Sequence, residues 1–465
     1  MLAELLPKLF QMGQMNQSGA PPVGAARLGV LWYGMRILVI SSALVCSVCS
    51  ISITASAKSP SDSTGASLRR EALKLVPKVA KMRGLRQKRK VRMGVVNKEQ
   101  LLFRINERIK EHYSEEDIAI DQAVLWRLGL IPKTLDYKQA ILKLLTDQIA
   151  GFYDPKDAEL RIADWIPADM QRPALVHELC HALQDQHFRL KRFVKPIKDN
   201  GDRQLALTAL IEGDCTGLML EYLLAKTGKD LQSVGPHLET MVQTAMSAAS
   251  SETFSQAPLF MRKTLTFPYI FGLRFVASLR AKRPWSALNR VFRRTPQSTE
   301  QIIHPEKYWR RERPVKVKAK PLKSLTDYRQ VKQDTLGEYQ LRLFLRQQLD
   351  ADISERAAAG WGGDRYAVYF AEGDLKTPLL LLLTTWDSAL DAKEFFSASS
   401  RSLLKMFPQK AEGTPSTYVD PEGKQARAEL KGKAVLLLIG LPAELTENVR
   451  EEIWKTWRIK GRRIR

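Results

Sequence analysis

The 465-residue chain has only four cysteines and six histidines, and its 50 acidic residues are outnumbered by 73 lysines and arginines. Four cysteines cannot make a disulfide-dense scaffold, and their spacing contains no zinc-finger pattern. The formal charge of +23 suits contact with anionic cell-surface polymers or lipid, but the chain lacks an RNA-recognition signature and an aromatic-interleaved basic stripe. No nucleic-acid partner is therefore expected, and the charge reads as a solvated basic surface. Long apolar runs are equally scarce. The clearest is Ile37–Ile53, preceded by Met35-Arg36 and followed by Ala55-Ser56-Ala57. That order of basic start, apolar middle and Ala-x-Ala site reads as an export signal cleaved after Ala57, which makes Met35 a candidate true start. An uncleaved membrane anchor is the alternative, since about 18 to 20 apolar residues can span a bilayer.

The few histidines are not scattered. Three of the six fall within Arg172–His187, where His177, Glu178 and His181 have the spacing His-Glu-x-x-His. Residues four apart share one face of a helix, so both imidazoles can reach one zinc ion. Glu178 points about 100° away from His177, too far to be a natural ligand but near enough to act as general base on a metal-held water. Pro173 suits a first helical turn, and Leu175, Leu179 and Leu183 recur at helical spacing.

The third ligand is read from a conflict. Residues 202–225 form a strongly apolar helical pattern interrupted by Glu212-Gly-Asp214, and a buried carboxylate is costly unless paired or metal-bound. Glu212 is therefore the expected ligand, with Asp214 orienting a ligating histidine from behind. His187 competes by spacing. Patterns that use such a histidine place glycine where this chain has Gln184, and a continuing helix carries His187 about 9 Å beyond His181. Cys180 and Cys215 adjoin these residues and read either as a disulfide between the two helices or as two small buried side chains.

His177-Glu-x-x-His181 followed by a helix bearing Glu212-Gly-Asp214 resembles the zincin superfamily of metallopeptidases, in its glutamate-ligand branch, the gluzincins. The resemblance covers about residues 140–225, and the interval from His181 to Glu212 is longer than in thermolysin-like enzymes. It implies a helical subdomain with a small sheet whose edge strand holds a peptide. His177, His181 and Glu212 would hold Zn2+, and Glu178 would be the base. Such enzymes often stabilise the oxyanion with a Tyr or His beyond the metal helices. Tyr269 and His304 are the candidates, each also readable as structural: Tyr269 in the core, and Ser298-Thr-Glu-Gln as a helix cap.

The expected architecture is α+β. Residues 1–57 are the signal or membrane segment, 58–90 a basic flexible leader, 91–310 a mainly helical zincin-like domain, 311–334 a linker and 335–465 an accessory α+β domain. A strand at Val91–Val96, a helix capped by Asn97 and a hairpin over 151–163 precede the metal helix. In the last domain, Gly360-Trp-Gly-Gly-Asp364 reads as a turn anchored by a buried Trp. The expected function is an exported, extracytoplasmic zinc metallopeptidase acting on a protein or peptide. The alternative is a zinc-stabilised, non-catalytic extracytoplasmic binding or assembly protein.

Overall fold

A computed structural model describes residues 63–460, save 150, 166–167, 236–237, 239 and 241–250. The expected export signal or anchor at 1–57 lies outside the described residues. Among those described, no helix is long and apolar enough to cross a membrane.

The fold is α+β. It begins with a helix, α1 (Ser63–Arg83), in the stretch expected to be a flexible leader. Ala72, Val76, Val79 and Arg83 recur at helical spacing along α1 and are buried, while Lys and Arg occupy much of its outer face. Burial of that narrow stripe outweighs the solubility of the rest. The flexible-leader reading is corrected over 63–83.

The helical half continues through β1 (Arg92–Val96), α2 (Lys98–His112), α3 (Glu115–Arg127) and α4 (Tyr137–Gln148). Asn97 caps α2 in a reciprocal capping box with Gln100, as its position before an amphipathic run implied. β2 (Gly151–Asp154) and β3 (Glu159–Ala163) form the hairpin, and β1 joins β3 in parallel to give a three-stranded sheet of order β1-β3-β2. The helix that carries His177, Glu178 and His181 is α5 (Ala168–Phe188), followed by α6 (Gly201–Leu224), α7 (Leu259–Arg280) and the short α8 (Thr299–Ile303).

The stretch 311–334, expected to link two domains, carries β4 (Lys316–Lys318) and β5 (Tyr328–Asp334). Next come α9 (Gly337–Arg346), α10 (Ala351–Ala358), β6 (Trp361–Ala371), β7 (Leu379–Trp386) and α11 (Ala389–Met406). Then follow β8 (Gln409–Lys410), β9 (Thr417–Val419), β10 (Gln425–Lys431), β11 (Ala434–Leu441), α12 (Ala443–Thr456) and β12 (Arg458–Lys460). Seven of these strands make an antiparallel sheet of order β5-β6-β7-β11-β10-β9-β8, and β12 pairs with β4.

The apolar runs of β7 and β11 follow from this arrangement. Strand side chains alternate faces, and both faces are covered. Leu380, Leu382, Val435 and Leu437 face one large core, while Leu379, Leu381, Leu436 and Leu438 face a second core with Val449 and Ile453 of α12. The large core runs without a break from Leu75 of α1 through Leu179 and Leu210 to Ile439, so the helical and sheet halves share it.

Polar contacts tie the halves at the start of α6. Asp334 accepts the Gly201 N–H at 2.7 Å, and Asp202 accepts the N–H of Thr299 at 3.0 Å. The Gly360–Asp364 stretch, expected as a turn, instead turns only up to Gly360 and opens β6 at Trp361, where Asp364 accepts from the Trp361 indole at 2.9 Å and from the Leu336 and Gly337 N–H groups that open α9. Trp361 is buried, and this strand start is a structural anchor.

Candidate metal centre

α5 and α6 bring together three of the expected residues. His177 and His181 lie one turn apart on α5, and their Nε2 atoms are 3.0 Å apart. Glu212 Oε2 lies 3.2 Å from His177 Nε2 and 3.4 Å from His181 Nε2. A tetrahedral zinc site with arms of about 2.0–2.1 Å has ligand–ligand edges of about 3.3 Å, so this triangle matches a zinc ligand set in both size and chemistry. Glu212 Oε1 is buried without a hydrogen-bond partner, a cost that binding of a cation would offset. The residues present fit zinc.

Four consecutive residues of α6 each have a separate task. Glu212 supplies the carboxylate. Gly213 lets α7 approach: a Cβ there would lie 2.2 Å from the Gly272 carbonyl carbon, and one on Gly272 would lie 2.1 Å from the Ala209 oxygen. Asp214 turns to α1 and α5. Cys215 forms a disulfide with Cys180, bringing the Cα atoms of α5 and α6 to 5.4 Å. The helix–helix approach at Gly213 and Gly272 also places the Tyr269 ring of α7 beside His177, centroid to centroid 6.4 Å.

Behind His181 stands a relay of buried side chains. His181 Nδ1 donates to Gln184 Oε1 at 3.0 Å, which leaves Nε2 for the cluster. Gln184 Nε2 donates to Asp214 Oδ2 at 2.8 Å and to the Ile211 carbonyl at 3.1 Å. Asp214 receives two bonds from the guanidinium of Arg83, Nε to Oδ1 at 2.7 Å and Nη2 to Oδ2 at 3.0 Å. Asp214 thus orients the histidine through Gln184 rather than by direct contact. Arg83 and Gln184 were not among the expected site residues. Arg83 shares the helical spacing of Ala72, Val76 and Val79, but among the many lysines and arginines of that stretch nothing in the sequence set it apart.

The charges within the cluster are unequal. Burial holds His177 down, to about 4, against the pull of Glu212. Burial opposes charge on His181 too, but the Glu212 carboxylate outweighs it and raises the ring to about 9. Burial would raise Glu212, yet the charge on His181 and hydrogen bonds from both histidines hold it below the usual carboxylate range.

Glu178 is 1% exposed and lies at the start of β2, where a Cβ on Gly151 would come 3.6 Å from its Cγ. It is not one of the three converging ligands. His187 is not brought to the cluster: α5 runs unbroken past Gln184 to Phe188, and His187 Nε2 donates to the Arg86 carbonyl at 2.8 Å.

His304 is also placed elsewhere, a correction to its candidacy as oxyanion donor. Its Nε2 bonds Glu338 Oε1 at 2.9 Å, and the preceding helix, α8, is capped by Ser298 and docks on Asp202 through Thr299. Asp202 sits about 15 Å along α6 from Glu212, at 1.5 Å of rise per residue. The Glu338 hydrogen bond raises the His304 pKa. A raised folded-state value stabilises the fold below the unfolded value of about 6.5, and that contribution disappears as pH climbs through the folded value. His304→Gln is accordingly expected to lower the thermal midpoint more near pH 5 than near pH 9 (about two units either side of neutral). An equal loss at both ends would contradict the charged pairing.

A second group of carboxylates, Glu300, Glu312 and Asp387, also lies within metal-binding reach. Lys307 Nζ already fills it, at 2.5, 3.3 and 2.6 Å from the three. It is an ion-pair network with only Glu300 buried.

A family described as a domain of unknown function (DUF8575) matches residues 324–450, from just before β5 into α12. The His177–His181–Glu212 cluster lies outside that match. No curated protein and no solved structure matches the chain.

Proposed function

We propose that the protein is an exported zinc metallopeptidase of zincin-like, gluzincin-like architecture. The carrying observation is the triangle of His177 Nε2, His181 Nε2 and Glu212 Oε2, with edges of 3.0, 3.2 and 3.4 Å. His177, His181 and Glu212 would hold the metal, which when bound supplies a Lewis acid and acidifies water. Glu178 accepts a proton from the attacking water as its oxygen bonds to the peptide carbonyl carbon. It returns the proton to the amine nitrogen as the C–N bond breaks. Tyr269, beside His177, is assigned to the oxyanion. β2 is an edge strand of the small sheet and lies against Glu178, which supports docking of an extended peptide by strand addition. The Cys180–Cys215 disulfide supports an oxidising, extracytoplasmic compartment, and the net charge of +23 supports contact with anionic cell-surface material.

Burial favours one competing reading. His177 and Glu212 are fully buried, and structural zinc sites are closed whereas catalytic ones keep an open position. Zinc would then clamp α5 to α6 in a non-catalytic binding or assembly protein. Chelation separates the two. The peptidase reading expects hydrolysis of an unstructured protein substrate to stop on zinc removal and return on zinc addition. The structural reading expects a lower thermal midpoint on removal and no hydrolysis in either state.

A further inference from the structure

A cleft of about 760 Å3 opens where the start of α6, residues 294–301, β4 and the start of β6 meet. It is separate from the metal cluster, and its size is that of a small-molecule site. Eight cationic side chains line it against three carboxylates. None of the eight is in an ion pair with a carboxylate among the described residues.

The carboxylates do not balance them. Asp202 is committed to the N–H and hydroxyl of Thr299, and burial raises its pKa well above the usual range. Asp364 is committed to Trp361, Leu336 and Gly337. Asp199 accepts a long bond from Gln333, at 3.4 Å, and its charge is felt by Arg365 and Lys198, one carboxylate against eight cations.

Five of the cations are arginines: Arg203, Arg294, Arg311, Arg313 and Arg365. Arg203 and Arg365 are half-buried, and the others are exposed. Among the described residues, Arg203 Nε is buried without a hydrogen-bond partner, and burial lowers its pKa. Among the same residues, Arg365 bonds carbonyl oxygens alone, those of Asp199 and Val317. A buried donor left unmet carries a desolvation cost that an anionic ligand would relieve. Guanidinium forks match the paired oxygens of phosphate, and several forks around one concavity suit a compact ligand of high negative charge rather than an extended polymer.

We propose that this cleft binds a polyphosphate group on a ligand of small-molecule size, with Arg203 and Arg365 engaging it from within and Arg311 and Arg313 from outside. The group is either free or the tail of a nucleotide, and the site is independent of the peptidase reading.

The test is isothermal titration of the full chain with inorganic tripolyphosphate, adenosine triphosphate and citrate. Tripolyphosphate is expected to bind with one-to-one stoichiometry, at least about tenfold more tightly than citrate, and to weaken with added salt. Tighter binding of the nucleotide would identify it as the source, whereas equal affinity would identify free polyphosphate. Arg203→Gln and Arg365→Gln are each expected to weaken binding by about tenfold or more, the worth of one charge-assisted hydrogen bond. Should either change unfold the protein, Arg311→Gln/Arg313→Gln on the exposed rim is expected to weaken binding in the same direction. Arg70→Gln/Lys74→Gln removes as much charge from α1 and is expected to leave affinity unchanged. Absence of binding, equal affinity for citrate, or an equal loss in the α1 variant would each overturn the proposal.

Discussion

Glu178→Gln is expected to lower hydrolysis by about 10²–10⁴-fold, the usual range for losing a general base, while zinc content stays at the wild-type level. The replacement keeps the shape of the side chain against Gly151 and removes only its charge and proton affinity. Glu178 lies outside the 3.0–3.4 Å triangle, so the ligand set is untouched. The residue is 1% exposed and the amide is nearly the same size, so the fold is expected to be kept. Hydrolysis and metal content in parallel samples check this. Loss of zinc would make Glu178 a ligand. Unchanged hydrolysis would remove it from the chemistry.

Arg83→Ala is expected to destabilise the protein by about 3–5 kcal/mol, because it leaves Asp214 buried and uncompensated. Arg83 and Asp214 are both fully buried, and no other guanidinium or ammonium pairs with Asp214 among the described residues. The damage should extend to the metal. Asp214 holds Gln184, and Gln184 holds the His181 ring. Loss of such a supporting partner typically weakens metal affinity about 10–100-fold. Removing both charges, as Arg83→Met/Asp214→Asn, should restore much of the stability but less of the affinity. Urea unfolding and competitive zinc titration separate the two effects. A loss below about 1 kcal/mol, typical of an exposed pair, would show that the ion pair is not the buried anchor described here.

The convergence of His177 and His181 was legible because its signal is local: four-residue spacing alone puts two imidazoles on one helix face. Glu212 was legible because an acid in an apolar helical run conflicts with its surroundings. The Asn97 cap and the 151–163 hairpin rest on short-range chemistry of the same kind. Arg83 was not legible in this way. It is 131 residues from Asp214, and only the packing of α1 against α5 and α6 brings them together. In a Lys- and Arg-rich stretch its position on the apolar stripe was hidden, and the segment read as a flexible leader.

Gln184 shows a related limit. Its value as a non-glycine that continues the helix could be read, but its bridge between His181 and Asp214 depends on where α6 lies. Gly213 and Gly272 become meaningful only when two backbones meet. His304 failed for the opposite reason: a suggestive string made it a candidate, but tertiary packing gave its ring to Glu338. The 311–334 stretch is rich in Lys, Arg and Pro like a linker, yet its strands pair with β6 and with β12 at the far end of the chain.

Zinc stoichiometry tests the central claim most directly. The purified full chain is expected to hold one zinc ion, Glu212→Ala to lose it, and His187→Ala to keep it, since His187 is spent on the Arg86 carbonyl. A chain that binds no stoichiometric zinc, or one emptied by the His187 change and not by the Glu212 change, would contradict the account.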